Sequence, residues 1–104
     1  MENLNIAATA TSPEVDFRFD QHLLSITGES YPENSAAFYT PIFQSLGAYL
    51  AACENAEITV NIALSYFNSS STKMLFSIFD ALDLAAKAGN PVQLSLYGTN
   101  GFSS

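Results

Sequence analysis

Basic, thiol and imidazole groups are scarce in this sequence. Its 104 residues include three Lys and Arg combined, one Cys, one His and no Trp. The cations are Arg18, Lys73 and Lys87. Three scattered bases cannot form the phosphate-tracking stripe that DNA or RNA binding requires, and they cannot anchor a chain to an anionic membrane surface. The single Cys53 excludes an internal disulfide and any multi-cysteine zinc site. The single His22 makes a histidine metal site or a Ser-His-Asp triad hard to assemble. No apolar run approaches the roughly 18 residues of a membrane helix. Met1-Glu2-Asn3-Leu4-Asn5 lacks the basic and apolar regions of a signal peptide. Charged residues reach only 12%, about half the usual share, and they are mostly acidic, so the formal net charge is -7. No cofactor, nucleic acid or membrane partner is expected from this composition, which suits a cytoplasmic globular chain.

Hydrophobic residues make up 48% of the sequence, enough for a core, and the length suits a single domain over 1–104. Residues 1–14 are small and polar and are expected to be loosely held. From Val15 the chain alternates: Val15, Phe17 and Phe19 are apolar, with Asp16, Arg18 and Asp20 between them. Period two predicts a strand with one buried face. A turn at Asp20-Gln21-His22 leads to a second strand, Leu23 to Thr27, stopped at Gly28, and the two should pair as an antiparallel hairpin. After a loop through Glu33, Phe38, Ile42, Leu46, Tyr49, Leu50 and Cys53 recur at helical spacing and predict a helix over 35–53, kinked at Pro41. Ile58, Val60, Ile62, Leu64 and Tyr66 share one face of a third strand. A second helix carries Met74, Leu75, Ile78, Phe79, Leu82, Ala85 and Ala86, closes with Lys87 in its last turn, and ends at Gly89 and Pro91. Val92, Leu94 and Leu96 alternate in a fourth strand.

The predicted order is β-β-α-β-α-β. Alternating strands imply a sheet with one covered face, so the expected fold class is α/β: a two-layer sandwich of a four-stranded mixed sheet with both helices on one face. The unit over 58–97 should be a right-handed parallel crossover.

The segment Asn68-Ser69-Ser70-Ser71-Thr72-Lys73 lies where a strand gives way to a helix. Backbone N–H groups at a helix start carry partial positive charge and accept phosphate, whether on a ligand or attached to a side chain. One residue suffices for a cap, so three serines leave hydroxyls available for phosphorylation. Capping alone is the competing reading. A phosphate-binding P-loop is excluded because residues 66–73 contain no glycine. Glu29 and Glu33 flank Tyr31-Pro32; paired carboxylates support acid–base work or cation binding, but no nucleophile or electrophile accompanies them, and acids before a helix favour its positive end. Asp83 and Lys87 have i,i+4 spacing on a solvated helix face. Cys53 reads as core and His22 as an exposed turn residue, while Tyr31 and Tyr39 depart from the buried stripes and suit a partner surface.

Gly28-Glu29-Ser30-Tyr31-Pro32-Glu33-Asn34-Ser35 resembles the signature of SiaC-type regulatory phosphoproteins. Tyr66-Phe67-Asn68-Ser69-Ser70-Ser71 resembles their Asn-Thr/Ser-Ser-Ser segment, and Phe79-Asp80 fits their following helix. The resemblance runs from about residue 10 to residue 97. It implies a fold similar to STAS domains and anti-sigma-factor antagonists. It also implies partner switching: a Ser/Thr kinase phosphorylates the residue after the Asn, a PP2C-type phosphatase reverses this, and the unmodified form binds and activates a diguanylate cyclase, raising cyclic-di-GMP and promoting biofilm. The acceptor maps to Ser69, and Tyr31, Glu33, Asn34, Asn68, Ser70, Ser71 and Lys73 form the implied partner surface. Two features depart from the family pattern. The acceptor is Ser where Thr is common, and Gly98–Ser104 does not resemble the acidic helical segment with which family members continue. A sheet edge or helix face is therefore expected to stand open, which makes a homodimer a candidate. The alternatives are an anti-sigma-factor-antagonist-type switch with another output, a small enzyme using Glu29, Glu33 and Ser69, and a scaffold whose serines only cap.

Overall fold

A computed structural model describes residues 2–98. The chain forms β1 (Leu4–Ile6), β2 (Glu14–Arg18), β3 (Leu23–Ser30), α1 (Ser35–Ala52), β4 (Ile58–Phe67), α2 (Ser69–Lys87) and β5 (Val92–Gly98). The spatial order of the strands equals their order in sequence. β1, β2 and β3 pair antiparallel, while β3, β4 and β5 are parallel. α1 connects β3 to β4 and α2 connects β4 to β5, and the two helices pack against each other.

The expectation of four strands is corrected to five. The additional strand is β1, inside the N-terminal segment expected to be loose. Leu4 pairs with Phe17 and Ile6 with Val15, so this segment has a partner that its own weak pattern does not advertise. The hairpin of β2 and β3 stands as expected, with Val15 opposite Ile26 and Phe17 opposite Leu24. β3 continues past Gly28 to Ser30.

Alternation decides which side chains enter the core. Val15, Phe17, Leu24, Ile26, Ile58, Val60, Ile62 and Leu64 are buried beneath the helices. Ile42, Leu46 and Tyr49 of α1 and Leu75, Ile78 and Leu82 of α2 close over them. Pro41 lies inside the continuous helix α1, whose cap is Asn34, with its Oδ1 accepting from the Ala37 N–H at 3.1 Å. Gly89, at φ +107, follows the Ala88 cap of α2 and adopts a conformation that side-chain-bearing residues avoid.

The strand pattern fails in one place, at the C-terminal end of β4. Gly28 pairs with Leu64 and Glu29 with Tyr66, so Ser65 is passed over. This β-bulge reverses the alternation beyond Leu64. Tyr66, predicted to share the buried face of β4, is instead 53% exposed.

Candidate functional site

Both helices begin at the C-terminal ends of parallel strands, so their N-termini lie side by side at one end of the sheet. Asn68 caps α2: its Oδ1 accepts from the Ser71 N–H at 2.9 Å, and its own N–H donates to the Ser30 carbonyl at 3.1 Å. The Thr72 hydroxyl donates back to the Asn68 carbonyl at 3.0 Å. Asn68 therefore holds the first turn of α2 and ties it to the end of β3.

The three serines of that turn differ sharply. Ser71 is fully buried. Its hydroxyl donates to the Ser30 carbonyl at 2.9 Å and accepts from the Ser30 hydroxyl at 2.8 Å. Ser30, also fully buried, lies 2.6 Å from the Tyr39 hydroxyl. The Ser30 proton is committed to Ser71, so the phenol of Tyr39 is the donor in that contact. Burial pushes the Tyr39 phenol above its ordinary value, against the opposing pull of its hydrogen bonds to Ser30 and Ser71. Ser70 is exposed, but its hydroxyl donates to Asn68 Oδ1 at 3.4 Å and accepts from Ser35, the first residue of α1, at 3.2 Å. Ser69 is exposed, and no hydrogen bond holds its hydroxyl among the described residues.

Around Ser69 the surface is polar and aromatic. Lys73 is exposed one helical turn further on. Glu33 and Asn34 are exposed at the head of α1. Tyr31 meets Tyr66 edge-on at a ring separation of 5.5 Å, and its N–H donates to the Thr11 carbonyl at 2.7 Å. The bulge in β4 turns Tyr66 outward to make this pair.

The structure thus gathers Tyr31, Glu33, Asn34, Asn68, Ser69, Ser70 and Lys73 on the side of the molecule where both helices start. Ser71 supports this surface from within and has no area to offer a partner. Tyr39, expected on a partner surface, is 1% exposed and belongs to the core, because the hydroxyls of Ser30 and Ser71 satisfy its own beneath the surface. Ser30, Ser35 and Tyr66 are the contributors that sequence reasoning missed. Ser30 and Ser35 lie within the signature segment, which offered a signal; Tyr66 depends on the bulge, for which there was none.

At the opposite end, the expected turn residue His22 is half-buried in left-handed backbone, with Nδ1 2.5 Å from the Tyr49 hydroxyl. Cys53 packs against the core at the end of α1. Among the described residues, no three His, Cys, Asp or Glu side chains cluster to hold a metal ion, and no helix is long and apolar enough to cross a membrane.

The family described as "SiaC family regulatory phosphoprotein" matches residues 6–99. An uncharacterized protein of Pseudomonas aeruginosa is 32% identical over 94 residues, which span 90% of this chain and 74% of that protein. The crystal structure of apo-SiaC from Pseudomonas aeruginosa superposes with a TM-score of 0.87 at 31% identity, covering 92% of this chain and 78% of that one. A chain in the structure of the diguanylate cyclase SiaD with its activator SiaC, from the same organism, shares the fold. Its TM-score is 0.82 at 23% identity, over 91% of this chain and 98% of that one.

Proposed function

The chain belongs to the SiaC family of regulatory phosphoproteins, and from that premise we propose that it is a non-enzymatic, cytoplasmic protein-binding switch whose phosphoacceptor is Ser69. The observation that carries this reading is the division of labour among the three serines. Ser71 is sealed in the core, Ser70 is engaged by Asn68 and Ser35, and Ser69 presents a free hydroxyl at the surface. A kinase needs an accessible hydroxyl, and only Ser69 combines exposure with freedom from local bonds.

The partner of the unmodified form is a diguanylate cyclase, since SiaC is the activator of SiaD in the solved complex. Binding through the surface around Tyr31, Tyr66, Asn68 and Lys73 activates the cyclase and raises cyclic-di-GMP, which promotes biofilm. A Ser/Thr kinase switches this off by phosphorylating Ser69, and a PP2C-type phosphatase restores it. The added phosphate carries about -1.5 to -2 charges. It stands at the positive end of α2, within one turn of Lys73, and draws that cation and the helix N–H groups to itself. The partner then loses Lys73 as a contact and meets a hydrated dianion that is costly to desolvate.

The test is intact-mass measurement and site mapping after treatment with the cognate kinase, followed by cyclase assays on both forms. One phosphate, located on Ser69, with loss of cyclase activation, is the expected result. Phosphate spread over several serines, or a phosphorylated form that still activates fully, refutes the assignment.

A further inference from the structure

The connection from β1 to β2 takes residues 7–13, longer than the roughly two to five residues that close most β-hairpins. Its sequence, Ala7-Ala8-Thr9-Ala10-Thr11-Ser12-Pro13, is small and uncharged. It is nevertheless tightly built, and the side chain of Thr9 builds it. The Thr9 Oγ1 accepts from the Thr11 N–H at 3.2 Å and from the Ser12 N–H at 3.0 Å, and it lies 2.6 Å from the Ser12 hydroxyl. The Thr9 N–H donates to the Ser12 carbonyl at 3.0 Å and closes the turn. Ser12 and Pro13 are buried, although Thr9 and Thr11 are exposed. Pro13 packs where β3 passes: a carbon added to Gly28 would stand 3.5 Å from the Pro13 Cα.

What this turn holds is Tyr31. β2 pairs with β3 only as far as Glu14 opposite Thr27, well short of Tyr31. The Thr11 carbonyl takes the place of a strand partner there and accepts the Tyr31 N–H at 2.7 Å. On one side of Tyr31, Ser30 is fixed by its hydroxyl bond to Ser71. On the other, Pro32 is buried and has a restricted backbone. The Tyr31 backbone is thus held from three directions, while its ring stays at the surface edge-on to Tyr66.

We infer that Thr9 is a positioning residue for partner binding: it fixes the β1–β2 turn, and the Thr11 carbonyl of that turn sets Tyr31, and with it the Tyr31–Tyr66 pair, in the geometry that the cyclase reads. This rests on the partner-binding reading above and adds to it a residue far from the serine run in sequence. The core closes without the exposed Thr9 side chain, so the order that Thr9 imposes is not needed to cover apolar surface. The turn delivers that order to Tyr31, an exposed aromatic residue of the kind that anchors interfaces. A ring whose backbone is already fixed loses less freedom when a partner docks, and that difference appears as affinity.

The test combines amide hydrogen exchange, followed by nuclear magnetic resonance, with calorimetric titration of the cyclase, both on the full chain. The Tyr31 amide of the wild type should exchange slowly. Thr9→Val keeps the shape of the side chain and removes the acceptor of two N–H groups. It should speed exchange at Tyr31 by about tenfold or more while amides within β4 keep their wild-type rates, which separates local release from a general loss of stability. Cyclase affinity should fall by about tenfold, the scale of ordering one backbone position anew on binding. Thr9→Ser retains the hydroxyl and should bring both readings back to within about threefold of wild type. In a Tyr31→Ala background, Thr9→Val should cost no further affinity, because the ring it positions is gone. A Tyr31 amide that exchanges alike in wild type and Thr9→Val overturns the inference without reference to the cyclase. So does unchanged cyclase affinity in Thr9→Val, or full additivity of Thr9→Val with Tyr31→Ala. Those results leave the switch reading standing, whereas a wild-type chain that does not bind the cyclase removes that reading and this inference together.

Discussion

The Ser30 hydroxyl lies 2.8 Å from the Ser71 hydroxyl and joins the last residue of β3 to the first turn of α2. The Ser71 hydroxyl returns a proton to the Ser30 carbonyl at 2.9 Å, and Tyr39 closes the set from α1. Three elements therefore meet through three buried hydroxyls and the Ser30 carbonyl, without exposure to water. Such a network fixes where the first turn of α2 sits, and hence where the Ser69 hydroxyl is displayed.

The network separates structure from signalling in a measurable way. Ser71→Ala leaves the Ser30 hydroxyl without its acceptor in a buried place, a loss of about 1–3 kcal/mol. For a domain of this size, each kcal/mol lowers the thermal midpoint by roughly 4–8 °C. Ser69→Ala removes an exposed hydroxyl and should change stability by no more than about 0.5 kcal/mol. Phosphate incorporation should show the reverse, disappearing in Ser69→Ala and persisting in Ser71→Ala below its midpoint. Paired melting curves and intact masses check both halves.

Tyr39 gives a pH signature. Burial raises its phenol pKa from 10.0, so the fold favours the neutral ring over the phenolate. The stability this contributes is complete below pH 10 and is lost as pH rises from there towards the raised folded value. Tyr49 is raised in the same direction, first by burial and then by Cys53. Alkaline unfolding followed by phenolate absorbance should therefore show Tyr39 and Tyr49 ionising only as the fold opens. Tyr39→Phe should be less stable at neutral pH, because the Ser30 hydroxyl loses a donor, yet lose stability less steeply above pH 10. An unchanged alkaline slope in that variant would remove Tyr39 as a source of the effect.

Much of this architecture was legible in the chain. The alternation of Val15–Phe19 and Ile58–Leu64, the spacing of Ile42, Leu46 and Tyr49, and the stop at Gly89-Pro91 all report a period or a local conformation. Two things were not legible, for physical reasons. β1 is three residues long and becomes a strand only because Phe17 and Val15 offer it a neighbour, a tertiary effect that leaves no pattern of its own. The bulge at Ser65 arises from the register between β3 and β4, so period two carried Tyr66 to the wrong face. The site suffered in the same way. The serine run marked the first turn of α2, but which of its hydroxyls is left without a bond depended on Ser30, Ser35 and Tyr39, distant in sequence and identifiable only by what they touch.

The Tyr31–Tyr66 pair should matter more to a partner than to the fold. Both rings have substantial exposure, and an edge-on pair is worth about 0.5–1.5 kcal/mol. Tyr66→Ala should thus lower stability by about that amount. Exposed aromatic residues are frequent binding hot spots, with truncation costs of about 2 kcal/mol or more, a loss of roughly thirtyfold in affinity. Calorimetric titration with the cyclase, run on Tyr31→Ala and Tyr66→Ala, reads this directly. Affinity within threefold of wild type in both variants would place the docking surface elsewhere.

Ser69→Asp should move stability and binding in opposite directions. Residue 69 is the first of α2, where the helix presents unpaired N–H groups and partial positive charge. A carboxylate there is favourable by about 0.3–1 kcal/mol, so the thermal midpoint should rise by a few degrees, less at high salt. Cyclase activation should nevertheless fall, because the same carboxylate sits one turn from Lys73 and competes for it. A phosphate should do both more strongly, having the larger charge. This combination distinguishes a switch from damage: a variant that loses activation because it is misfolded melts earlier, whereas one that loses it through a charge at a helix start melts later. Melting curves and activation assays on the same preparations decide the matter. A later-melting Ser69→Asp variant with undiminished activation would show that charge at this helix start is structurally welcome but is not what the partner reads.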